Sequence, residues 1–130
     1  MANPNIVNVA AIYGNSSQTS LSTTSATSLV SNAASSGKVF KINSITVANV
    51  DGTAAADITI NVYSAAALGG TAFPIVSTVS VPADATLVML DKTTQLYLLD
   101  TSVTGEASTI YVTSGTASKL TFSCSYETIS

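Results

Sequence analysis

Seven carboxylates and one thiol, beside four lysines, five tyrosines and many Ser and Thr hydroxyls, are the groups in this chain whose types permit acid–base, metal or nucleophilic chemistry. There is no histidine, no arginine and no tryptophan among the 130 residues. Catalysis near neutral pH usually needs a tunable acid or base, most often His, and phosphate recognition usually draws on Arg or clustered Lys. Asp84, Asp91, Asp100 and Glu106 fall in or beside predicted loops of the second half. Gathered at one end of a domain, they would offer oxygen ligands to Ca²⁺. No D-x-D-x-D-G spacing accompanies them, and Asp is common in turns because its side chain bonds nearby backbone donors. A glycosidase would need two facing carboxylates, yet no predicted strand places a carboxylate on an apolar parity. No Gly-x-Ser-x-Gly elbow occurs, and Gly69-Gly70 lacks the Gly-Lys and helix of a phosphate loop. Catalytic, cofactor and metal residues are therefore expected to be none.

Cys124 alternates in phase with Leu120, Phe122 and Tyr126, which predicts a buried structural thiol. The five tyrosines are the remaining side chains with a contact role. Tyr126 reads as core or core edge. Tyr63, Tyr97 and Tyr111 lie opposite their aliphatic neighbours and are expected to face outward. Such amphipathic rings suit protein–protein contact, and stacking on a sugar is the alternative. The four lysines, Lys38, Lys41, Lys92 and Lys119, form no run and read as solubility and edge-guard residues.

These groups must be held by strands. Period-two alternation recurs along the chain, and no window shows the helical period. A first strand is expected at Ile6–Tyr13, followed by a Ser/Thr-rich stretch, 14–26, read as loop or solvent-facing strand. Further strands are expected at Thr27–Ser31, Lys38–Val50, Asp57–Ser64, Phe73–Val81, Thr86–Leu90, Gln95–Leu99, Ser108–Thr113 and Lys119–Ile129. In Lys38–Val50 the apolar phase changes, which predicts a bulge near Asn43-Ser44. Pro74 should sit at a strand start or on an edge. Eight to ten short strands separated by turns predict an all-β, single-domain antiparallel sandwich, Ig-like or jelly-roll-like. Its core should include Ile45, Val47, Ile58, Ile60, Val62, Leu87, Leu120 and Phe122, with Thr59 and Thr121 facing away.

Only 8% of residues are charged, the net charge is −3, and 46% are hydrophobic. The acidic balance argues against nucleic acid and anionic membrane surfaces. No apolar stretch is long enough to span a bilayer, and Met1–Asn5 lacks the basic and apolar regions of a signal peptide. Sheet edges guarded by so few charges invite pairing with other chains. Residues 1–36, a strand plus a Ser/Thr-rich hairpin, are read as an assembly arm or as part of the domain's own core, and 37–130 as the sandwich. The interface candidates are Ile6, Val7, Val9, Ile12, Tyr13, Tyr63, Tyr97 and Tyr111.

Three stretches carry a resemblance: Ile45–Thr53 with Ala56–Ile60, then Val81–Val88, then Ser125-Tyr126-Glu127. In this order, and with the hairpin Thr23–Gly37, the chain resembles small virion structural proteins of tailed bacteriophages, especially those of cyanobacteria and other marine bacteria. The pattern departs from that group after Tyr97-Leu98-Leu99-Asp100, where no Gly follows until Gly105. The resemblance implies a particle component without an active site. Its implied role is capsid decoration or cement, binding the major capsid protein or another virion protein in many copies at the capsid surface, after assembly in the host cytoplasm. Neck, tail and fibre positions are alternatives, as is a carbohydrate-binding module. No cofactor and no small-molecule ligand are expected.

Overall fold

The computed structural model describes residues 8–65, 68–100 and 107–130. Its strands are β1 (Ile12–Ser20), β2 (Thr27–Ser31), β3 (Val39–Asn49), β4 (Ala56–Tyr63), β5 (Ala72–Val81), β6 (Thr86–Leu90), β7 (Leu96–Leu98), β8 (Thr109–Ser114) and β9 (Leu120–Ile129). Among the described residues the helical content is one 3-10 turn, Lys92–Thr94.

Two antiparallel sheets face each other. Sheet A runs β1-β9-β3-β6, with β7 pairing β3 in the same lane as β6. Sheet B runs β2-β8-β4-β5. Successive strands thus alternate between sheets at the chain's start, and the last two return between earlier ones. This is the strand order of a jelly roll, which decides between the two sandwich types expected.

Alternation builds the core. Ile42, Ile45 and Val47 of β3, Ile58 and Ile60 of β4, Ile110 and Val112 of β8, and Phe122 of β9 are fully enclosed. Seven of the eight expected core residues are buried; Leu87 is half-buried and packs against the cluster. It lies on β6, an edge strand, where sheet B does not cover it completely.

Bulges set the phases. In β3, Ile42 pairs with Tyr126 and Ser44 with Ser125, so Asn43 is the extra residue, where the phase change predicted it. In β2, Ser28 pairs with Tyr111 and Val30 with Ile110. Leu29 is therefore extra, which lets the adjacent Leu29 and Val30 both turn inward.

The first strand needs correction. It begins at Ile12 and runs to Ser20, so the Ser/Thr-rich stretch supplies most of it. Its hydroxyls alternate between half-buried and exposed positions, and it pairs with β9 over nine residues without a register break. Ile6 and Val7 of the expected strand lie outside the described residues. The expected boundary at residue 36 falls between β2 and β3, and strands on both sides of it share the same two sheets.

Candidate functional site

Three of the described carboxylates, Asp51, Asp91 and Asp100, are occupied in holding turns. Asp100 is fully buried, a placement that a loop reading of its surroundings does not anticipate. Its Oδ1 accepts from the Ser35 N–H at 2.7 Å and its Oδ2 from the Gly37 N–H at 3.0 Å, clamping the turn between β2 and β3. Asp91 caps the 3-10 turn, accepting from the Thr93 N–H at 2.8 Å and the Thr93 hydroxyl at 2.6 Å. Those bonds, the Thr93 hydroxyl first, hold its carboxyl below the ordinary 3.8. Asp51, in the β3–β4 turn, accepts from Thr53 and pairs with Lys119 of the β8–β9 turn. Asp84 sits at positive φ in the β5–β6 turn, with its carboxylate against Gly52. Glu127 faces Lys41 at 3.8 Å on the outer side of sheet A. Glu106 lies outside the described residues. No three His, Cys, Asp or Glu side chains converge among the described residues.

Cys124 is buried, as its parity predicted. Desolvation pushes its thiol up from 9.0 to about 12, so it stays protonated and inert at physiological pH. A shallow depression among Leu21, Val50, Ser118 and Leu120 is edged by hydroxyls and contains no titratable side chain.

What remains is surface for contact. The expected interface residues do not form one patch. Tyr63 and Tyr111 meet on the outer face of sheet B, rings edge to face with centroids 5.3 Å apart. Tyr97 lies on the outer face of sheet A, paired with Lys41. Ile12 and Tyr13 open β1 and are exposed, whereas Val9 is half-buried. Ile6 and Val7 lie outside the described residues. Tyr126 packs beside Phe40 at the core's edge, centroids 5.4 Å apart.

A second set was missed. Phe73, Ile75 and Val79 of β5 are exposed, Phe73 at 55%. So is Val88 on the outer face of sheet A, at 61%. Phe73 and Val79 pair with the core residues Val62 and Ile58 and so share their inward parity. They stay exposed because β5 is an edge. Two register breaks and the positive φ of Thr78 further bend this strand. The signal available in the sequence was Pro74, which marks an edge.

No protein-family model matches the chain, and no curated protein matches its sequence. Among solved structures, the chain is similar to one described as "Bacillus endospore appendages form a novel family of disulfide-linked pili". The match covers 99% of this chain and 98% of that one, with 14% identity and a TM-score of 0.50. At that identity the likeness is one of fold.

Proposed function

We propose that this chain is a non-catalytic structural subunit that works in many copies through protein–protein contact. The observation that carries the reading is the exposed apolar set Phe73, Ile75 and Val79 on the edge strand β5 of a domain with 11 charged side chains. Scattered surface hydrophobics are ordinary, but apolar side chains along an uncharged edge mark an interaction surface. From Ile58 to Ala83 there is no charged residue. Asp51, Asp91 and Asp100 are bonded into turns.

Within that reading, the resemblance of 45–60, 81–88 and 125–127 favours a virion component. Its role is a decoration or cement protein bound to the major capsid protein at the particle surface. The full-length likeness to a pilus-associated chain favours a second reading, a subunit of a surface appendage. The disulfide linkage named for those pili does not carry over, because Cys124 is the sole cysteine and is buried.

Electron microscopy of the purified chain, alone and mixed with capsids, separates the two. Capsid-bound density without filaments supports decoration, and filaments formed by the chain alone support the appendage. Phe73→Asp should abolish either assembly while the unfolding midpoint stays near that of the parent. A chain that remains monomeric at high concentration and binds no particle overturns the proposal.

A further inference from the structure

Among the described residues four strand edges are open, and three of them are interrupted. β2 is five residues long and bulged at Leu29. β5 contains Pro74, which lacks an N–H, and two register breaks. The β6–β7 lane is broken by the Asp91-capped turn. Such features are how edges are kept from pairing. β1 has none of them: nine residues, no proline, no bulge, and no charged side chain anywhere from Ala2 to Gly37.

The hydrogen-bond parity of β1 can be read directly. Ala11 and Ser130 exchange both backbone bonds, at 3.2 and 3.0 Å, and the Leu21 N–H donates to the Leu120 carbonyl at 3.0 Å. In an antiparallel ladder such pairs recur at every second residue. Tyr13, Asn15, Ser17 and Thr19 therefore direct their backbone groups to β9. Ile12, Gly14, Ser16, Gln18 and Ser20 direct theirs outward, where no described residue bonds them.

We infer that this edge pairs with the β1 edge of a second copy, antiparallel, about a two-fold axis through Ser16. The inference rests on the multi-copy reading above and names the contact. The occupant follows from self-complementarity. With Ser16 on the axis, Ile12 opposes Ser20, Gly14 opposes Gln18, and Ser16 opposes itself. Each of these residues has its N–H and C=O unbonded by any described residue on that edge, so the pairing leaves none unmatched. With no charge on the strand, self-pairing brings no like charges together. The result is one sheet running continuously through two subunits. A partner surface of about 800 Å² is usual for a stable isolated dimer, and one strand supplies less. The contact is thus suited to subunits already held close in an assembly.

Cysteine trapping tests the register. Cα atoms of a hydrogen-bonded antiparallel pair lie about 5.5 Å apart, within the span of a disulfide. Under mild oxidation of the full chain, Ser16→Cys should form covalent dimers. Gln18→Cys alone should not, because its opposite number is Gly14. A mixture of Gln18→Cys with Gly14→Cys should cross-link; the added Cβ at Gly14 meets nothing within 4 Å. Ser16→Pro removes an outward N–H that β9 does not use, and should lower self-association measured by sedimentation at least tenfold without lowering the unfolding midpoint. Gln18→Lys serves the same purpose if the proline variant fails to fold. Absence of dimers from Ser16→Cys, or equal cross-linking by Gln18→Cys alone, overturns the inference. If the parent chain assembles and the edge variants assemble equally well, the edge assignment fails and the multi-copy reading stands. A parent chain that is monomeric and never cross-links defeats both.

Discussion

The side-chain amide of Asn49 donates a 3.0 Å hydrogen bond to the backbone carbonyl of Val81, tying the end of β3 in sheet A to the end of β5 in sheet B. A second bond goes to the Ala54 carbonyl, and its Oδ1 accepts from the Asp51 N–H. Asn32 repeats the device at the opposite end of β3. Its amide donates to the carbonyls of Lys38 and Leu98, and its Oδ1 accepts from Ser36 Oγ. Each asparagine is buried with its amide fully used, so each fixes the spacing of the two layers where apolar packing thins out.

Replacing either asparagine by alanine leaves buried carbonyls without a donor. Each substitution should lower the unfolding free energy by about 1–3 kcal/mol. The two sites sit at opposite ends of an 11-residue strand, so their effects should add within about 0.5 kcal/mol. Urea denaturation of both single variants and the double variant measures this. A marked excess in the double variant would mean that the two ends are coupled through the sheet.

Inward and outward parities should differ sharply in cost. Phe122→Ala removes a fully buried ring and should cost about 3–5 kcal/mol. Thr121→Ala, one residue earlier on the outer face of sheet A, should cost well under 1 kcal/mol. Equal losses in denaturant unfolding would contradict the assigned faces.

The Cys124 thiol makes stability depend on pH in the alkaline range. Burial favours the neutral form in the folded chain, so unfolding releases the proton between the two pKa values. The stabilisation is full below the ordinary value of 9.0 and is lost as pH rises toward about 12. Measured against Cys124→Val, which has no proton to release, the loss should approach roughly 4 kcal/mol at the top of that range. At pH 8 the folded chain should resist alkylation, with modification tracking global unfolding in denaturant.

Removing residues 1–20 should destabilise the domain. β9 would lose its neighbour along nine residue pairs, and the Ser17 hydroxyl bond to the Leu29 carbonyl would go with it. We expect a fall of at least about 3 kcal/mol, from lost ladder bonds and newly exposed apolar surface on β9. Thermal unfolding of the truncated chain checks this. An unchanged midpoint would show that β1 is an appended arm.

Wherever apolar residues alternate strictly, the strand could be read before the fold was known. Ile58-Thr59-Ile60-Asn61-Val62 is a central strand, and its alternation survives intact between β8 and β5. The bulge at Asn43 was legible too, because an extra residue inverts the phase. β1 was legible only as one of two alternatives, the stretch 14–26 being read as loop or solvent-facing strand, because a hydroxyl-rich edge strand buries little and leaves no apolar period to detect. Its first residue was set six positions too early by the apolar run preceding it.

Composition and alternation by themselves determined an all-β sandwich with a buried thiol and few charged groups. Neither could assign a strand to a sheet, because alternation records which face is buried and not which neighbour lies beside it. Tertiary structure decided that β1 and β5 are edges, that Asp100 is enclosed, and that Phe73 and Val79 are exposed despite an inward parity. Those outcomes rest on long-range pairing. Whether an inward side chain meets a facing layer depends on where its strand lies in the sheet, and that position is fixed by contacts between residues far apart in the chain.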